Sequence, residues 1–262
     1  MSKQLENQVV IITDAGKGIG RAIAICFAKC GANIIVADNI PELADDTANA
    51  IKSIGVNAIA TVTDITKEES VAEMVNQAIV NFGTIDILVA NALIRNRYFV
   101  TDLPRTEFQA IIDVNLLGVF CCCQAILPTF YSKKQGNIII IAPYSTPQDD
   151  VSKSEYNSGK FAVIDFMKAL AYEAKNHHVR VNALSPFSIK YNFFKELGEP
   201  SDNTDTKADD NNLNDSKLND SNFITNFVNP EEIADVALFL ASNQSRAIHG
   251  QAINLNGGFD YR

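Results

Sequence analysis

The stretch Val9-Val10-Ile11-Ile12-Thr13-Asp14-Ala15-Gly16-Lys17-Gly18-Ile19-Gly20-Arg21-Ala22-Ile23-Ala24 decides the fold. Val9 to Ile12 are consecutive β-branched apolar residues, which read as a strand buried on both faces. From Ile19 onward apolar residues recur at helical spacing. Gly16, Gly18 and Gly20 lie between, so a strand passes into a helix through a turn where backbone can approach a ligand closely. A helix start exposes unpaired N–H groups and a partial positive charge, which suits a pyrophosphate. Glycine spacing alone is common, and its place in the first strand-to-helix turn of a repeating chain gives it weight.

Outward from this turn the pattern repeats. Strand-like runs over 9–13, 33–37, 58–62, 85–89, 137–142, 180–184 and 251–255 alternate with helical stretches over 18–29, 42–54, 68–81, 106–130, 152–175 and 231–241. This alternation predicts an α/β fold: a Rossmann-type doubly wound parallel sheet of about seven strands with helices on both faces. Pro41, Pro104 and Pro230 sit at or near helix starts, where proline is tolerated. The 262 residues predict one dinucleotide-binding domain over 1–262.

One segment interrupts the repeat, an Asn/Asp-rich insertion at about 195–225. Residues 199–222 hold seven acids, from Glu199 to Asp220, against Lys207 and Lys217, with Leu213 and Leu218 almost alone as apolar residues. Such a segment cannot bury enough to order itself, so it reads as a solvated loop. It follows the strand over 180–184, which also allows a mobile lid on the ligand side of the sheet.

Composition excludes several classes. Lys and Arg total 22 against 31 Asp and Glu, a net charge of −9 that repels a phosphate backbone, so no nucleic-acid partner is expected. The apolar runs over 116–123 and 138–142 fall short of the roughly 20 residues a membrane span needs, so no membrane partner is expected either. The first residues carry no apolar targeting core, which predicts a cytoplasmic protein. Five cysteines, three of them adjacent (Cys121, Cys122 and Cys123), read as reduced thiols, with no metal site.

The second strand ends in Asp38, close to the spacing at which an acid accepts hydrogen bonds from an adenosine ribose. A carboxylate there disfavours a 2′-phosphate, whereas Lys17 pulls the other way; NAD is expected over NADP. Tyr156 and Lys160 stand one helical turn apart. An ammonium beside a phenol stabilises the phenolate and brings its pKa toward neutrality, which permits acid–base work.

Seven segments occur in order: Thr13 to Gly20, Val62-Thr63-Asp64-Ile65, Leu88-Val89-Ala90-Asn91-Ala92, Asp113-Val114-Asn115, Tyr156-Asn157-Ser158-Gly159-Lys160, Val179 to Pro186, and Gly250-Gln251 through Asn256-Gly257-Gly258. With these the chain resembles the short-chain dehydrogenase/reductase family along nearly its whole length outside the insertion. The resemblance implies hydride transfer between a nicotinamide and the carbonyl or alcohol carbon of a small molecule. It implies Tyr156 as proton donor and acceptor, Lys160 lowering its pKa and holding the nicotinamide ribose, and Asn115 supporting a water relay. For the cofactor it implies Thr13, Asp14, Gly16, Gly18, Ile19 and Gly20 at the phosphate turn and Asp64 and Ile65 beside the adenine. Asn91 and Ala92 would back the cofactor, Pro186 would join them, and the Ile189 backbone would meet the carboxamide. It also implies a homodimer or homotetramer through the helices over 106–130 and 152–175.

Departures from the family pattern cluster at the same cleft. Pro143 stands where the family carries the serine that hydrogen-bonds the reacting oxygen, and proline cannot donate. Ser145 or Tyr144 is the candidate replacement. Asp14 stands at the first glycine of the turn, where its charge either opposes a pyrophosphate or points away; aspartate also tolerates positive φ. Ala90, Leu93, Phe187 and Tyr191 replace asparagine, glycine, glycine and threonine. Two readings follow: an active dehydrogenase with a rearranged carbonyl clamp, and a catalytically impaired nucleotide-binding relative. Arg95 and Arg97 are candidates for an anionic substrate group, and Tyr191, Phe193 and Phe194 for an apolar lid underside.

Overall fold

The computed structural model describes residues 3–94, 98–142, 154–186 and 228–256. The acidic insertion, Arg95, Arg97, Pro143, Tyr144, Ser145, Phe187, Ile189, Tyr191, Phe193 and Phe194 lie outside the described residues. Seven strands form one sheet: β1 (Val9–Thr13), β2 (Asn33–Asp38), β3 (Ala58–Val62), β4 (Ile87–Ala90), β5 (Gly136–Ile141), β6 (Val179–Pro186) and β7 (Ala252–Leu255). All neighbours pair parallel, in the order β3-β2-β1-β4-β5-β6-β7. The chain builds outward from β1 to β3, then returns to the other side of β1 with β4. The ends of β1 and β4 therefore flank the switch point, where open α/β sheets bind ligands.

Helices cover both faces, as the alternation predicts. On one side lie α1 (Gly18–Lys29), α2 (Pro41–Lys52) and α7 (Pro230–Ala241), whose Ile23, Phe27, Ile51 and Leu240 pack onto the sheet. On the other lie α3 (Glu68–Phe82), α5 (Val119–Lys133) and α6 (Ser154–Ala174), contributing Met74, Ile126, Phe130 and Met167. Pro41 and Pro230 open their helices. At α7 Asn229 and Glu232 add a capping box, worth about 1 kcal/mol.

The stretch expected as one regular helix over 106–130 is continuous but not regular. It runs as α4 (Arg105–Ile112), a π-helical segment (Asp113–Gly118) and α5. This joined helix spans 29 residues and is apolar enough to cross a membrane by length and composition. The continuous apolar runs read from the sequence stay short, and it is their joining across polar residues into one helix that reaches this length. Its Cys122, Cys123, Ile126 and Phe130 are buried against the sheet, as in the core helix of a folded domain.

The segment around Arg180 holds the second half together. Its guanidinium donates to the carbonyls of Leu240, Ser242 and Ser245, at 2.8, 3.2 and 3.3 Å, so it satisfies the end of α7 and the turn beyond. Asn182, fully buried, donates to the Ile248 carbonyl and accepts from the Gln251 amide. That explains part of the motif Val179 to Pro186 as architecture.

Candidate active site

The site is built at the switch point. Thr13, the last residue of β1, accepts at Oγ1 from the amides of Asn91 and Ala92, at 2.9 and 3.2 Å. In return Asn91 Nδ2 donates to the carbonyls of Thr13 and Asp14, at 3.2 and 3.1 Å. These reciprocal bonds lock the chain leaving β4 to the chain leaving β1. Buried polar groups need such partners, because leaving one unmade costs about 1–3 kcal/mol.

Asp14 takes the left-handed conformation, φ +51°, one of few non-glycine residues to do so among those described. Aspartate is among the side chains that tolerate it. Gly18 has φ +57° and opens α1. Gly20 has no space for a side chain: a Cβ would lie 2.2 Å from the Asp14 carbonyl oxygen and 2.7 Å from Asn91 Nδ2. Ile19 lies between them in the first turn of α1.

Asp38 ends β2 with its carboxylate drawn inward, 2% exposed. Oδ2 accepts the Gly16 amide at 2.8 Å and Oδ1 accepts the Ile40 amide at 3.0 Å. Gly16 is pressed between this carboxylate and α2, since a Cβ there would meet Leu43 Cβ at 2.5 Å and Asp38 Oδ2 at 2.7 Å. Beyond β3, Asp64 Oδ1 accepts from the Thr66 hydroxyl and amide, at 2.6 and 3.0 Å, and Lys67 sits 3.0 Å from Oδ2. The Thr66 hydroxyl holds its carboxyl below the usual range, helped by Lys67. Ile65 is buried against Gly118, where a Cβ would fall 2.4 Å from Ile65 Cδ1.

Across the cleft, Asn115 sits in the π-helical segment and is 3% exposed. Its side chain pairs in both directions with the backbone of Ile94. Tyr156 lies in the first turn of α6, with its side chain outside the described residues, and Lys160 follows one turn later. Gly159 packs against the π-helical segment: a Cβ on it would lie 3.7 Å from Asn115 Cβ. Lys160 is 3% exposed, and burial pulls its ammonium down to about 7 from its ordinary value. Pro186 closes β6, buried, beside Leu255 of β7.

The structure thus brings Thr13, Asp14, Gly16, Gly18, Ile19, Gly20, Asp38, Asn91 and Ala92 to one turn region. It sets Asn115, Lys160 and the backbone of Tyr156 on two helical segments packed together. Ser145 and Ile189 lie outside the described residues. Sequence reasoning missed Thr47, Arg21 and Ile94. Thr47 Oγ1 donates to the Gly16 carbonyl at 3.0 Å and accepts from Arg21 Nε at 3.2 Å. No local motif marks it, since its partners lie on other elements.

The five thiols are free. Burial pushes Cys26 up to about 11 and Cys122 up to about 12, so these sulfurs stay protonated at neutral pH and are poor nucleophiles.

Residues 8–202 match the family model described as short chain dehydrogenase. An uncharacterised oxidoreductase of Bacillus subtilis, YxjF, is 35% identical over 97% of this chain and 99% of its own length. A short-chain type dehydrogenase/reductase from Mycobacterium marinum superposes with a TM-score of 0.87 at 31% identity, covering 99% of this chain and 98% of that one. A 7α-hydroxysteroid dehydrogenase, solved with NADH and 7-oxo glycochenodeoxycholic acid, superposes at 0.85 with 28% identity, covering 98% and 96%.

Proposed function

The chain belongs to the short chain dehydrogenase family of oxidoreductases, and on that premise we propose that it interconverts an alcohol and a ketone or aldehyde of a small molecule, with NAD as the preferred cofactor. The observation that carries the cofactor half is the Asp38–Gly16 contact: a buried carboxylate placed by two backbone amides at the end of β2. Such a carboxylate keeps lone pairs for ribose hydroxyls and repels a 2′-phosphate. The dinucleotide reading is supported by the tightness of the strand-to-helix turn, where Gly16 and Gly20 lie against the chain's own Leu43, Asp38, Asp14 and Asn91 and Asp14 holds positive φ.

When bound, the dinucleotide supplies or accepts the hydride at its nicotinamide ring. In the reducing direction Tyr156 gives its phenolic proton to the carbonyl oxygen as the carbon receives hydride, and an alcohol forms. Lys160, one turn along α6, stabilises the resulting phenolate. Asn115 anchors the chain leaving β4 and supports the water relay that returns a proton to Tyr156. Ser145 or Tyr144 supplies the hydrogen bond to the reacting oxygen that Pro143 cannot.

Pro143 favours a second reading, a nucleotide-binding relative without turnover. Losing one such donor lowers rate by about 10²–10³ rather than abolishing it, and the left-handed turn at Asp14 supports binding. We also infer a homodimer or homotetramer, supported by exposed Phe108, Leu117, Phe120 and Phe161 on α4, the π-helical segment, α5 and α6, and cytoplasmic placement, supported by the free thiols. The test is NADH oxidation across a panel of ketones and aldehydes, with Tyr156→Phe as control. Turnover that falls by about 10²-fold or more in the variant supports the dehydrogenase. Micromolar NADH binding with no turnover on any carbonyl supports the second reading.

A further inference from the structure

Thr47 belongs to no motif of the site. It sits in α2, fully buried, 31 residues from Gly16 in sequence. Its hydroxyl has one proton to give, and the direction is decided by chemistry: Arg21 Nε can only donate, so the Thr47 proton goes to the Gly16 carbonyl. Gly16 is therefore gripped at both polar atoms, its N–H by Asp38 Oδ2 and its C=O by Thr47 Oγ1.

That double grip matters because Gly16 cannot hold its own conformation. Glycine has the widest choice of backbone angles, yet nothing larger fits between Leu43 and Asp38. Its N–H lies in the peptide plane shared with Ala15 and the C=O held by Thr47 lies in the next one, so Thr47 acts on the N–H by limiting the rotation of Gly16 between the two planes. Asp38 Oδ1 is set separately by the Ile40 amide. The plane of the carboxylate thus depends on two donors, one of which depends on Thr47.

We infer that Thr47 is a positioning residue for cofactor discrimination: acting through Gly16, it holds the Asp38 carboxylate so that an unphosphorylated adenosine ribose is accepted and a 2′-phosphorylated one rejected. The inference rests on the dinucleotide reading of the site. A merely structural Thr47 would affect stability and weaken every ligand alike.

The experiment measures calorimetric affinities of the full chain for ADP-ribose and 2′-phospho-ADP-ribose, ligands that lack the nicotinamide and so do not depend on the reacting centre. The wild type is expected to prefer ADP-ribose. Thr47→Val should narrow that preference by about fivefold, the scale of one lost hydrogen bond, and Thr47→Ser should keep it. Thr47→Ala serves where the valine variant does not fold, since the ratio is read only on folded protein. Equal weakening of both ligands, or an unchanged ratio, overturns the role of Thr47. Asp38→Ala separates the two levels. A ratio that moves in Asp38→Ala but not in the Thr47 variants overturns this inference alone. A wild type that binds neither ligand overturns the dinucleotide reading, and one that binds both equally overturns the preference for NAD; either outcome overturns this inference with it.

Discussion

The Asn115 side chain grips both polar atoms of Ile94: Nδ2 donates to its carbonyl at 2.8 Å and Oδ1 accepts its amide at 2.9 Å. A primary amide is the side-chain group that offers a donor and an acceptor in this arrangement. It ties the π-helical segment to the chain leaving β4, and so joins the helical half of the site to the sheet half. Asn115→Leu leaves both Ile94 groups without their partner and is expected to destabilise the fold by about 2–4 kcal/mol in urea denaturation. A loss under about 1 kcal/mol would mean that water replaces the amide without penalty.

At Asp14 the φ of +51° separates charge from backbone. Asp14→Ala keeps the strain and loses the side chain that tolerates it, so stability should fall by about 1 kcal/mol, while Asp14→Gly should be neutral or better. If the carboxylate points away from the phosphates, NADH affinity in Asp14→Gly should stay within about threefold of wild type by nicotinamide fluorescence. A gain of a hundredfold would instead make Asp14 a block to the cofactor, at the scale of a charge held close to the pyrophosphate.

Gly20 faces backbone rather than a movable side chain, with the Asp14 oxygen 2.2 Å from where a Cβ would lie. Gly20→Ala must push β1 and α1 apart. The expected outcome is a loss of about 1–3 kcal/mol in stability together with weakened dinucleotide binding, measured on the same preparation. Unchanged binding at full stability would place the phosphate turn elsewhere.

Lys160 carries a pH signature. Burial lowers it to about 7 in the folded chain, against about 10.5 when exposed. Between those values the unfolded chain binds the extra proton, so this residue makes stability rise with pH from about 7 to 10.5; below 7 both states are protonated and the cost of burying the charge is complete. Lys160→Met should therefore melt above wild type at pH 6, with the difference shrinking by pH 9. A difference that is constant across that range would show that burial does not govern this ammonium.

How much of this was legible in the chain differs by element. The run Val9 to Ile12, the turn to Gly20 and the acid at Asp38 are local patterns, and the structure has β1, α1 and β2 where the pattern predicts them. The helix expected over 106–130 was found, but its π-helical segment around Asn115 was not foreseen, because helical periodicity alone does not register a local widening of the turn.

The sequence by itself determined the class of fold and the order of its motifs, because strand and helix periods and glycine turns act over a few neighbouring residues and survive any packing. Only the tertiary structure decided that Thr47 steadies Gly16, that Arg180 satisfies the end of α7 and that Asn115 holds Ile94. Those bonds join residues 31, 60 and 21 positions apart. Their partners are chosen by how helices settle on the sheet, and no local preference of the chain encodes that choice.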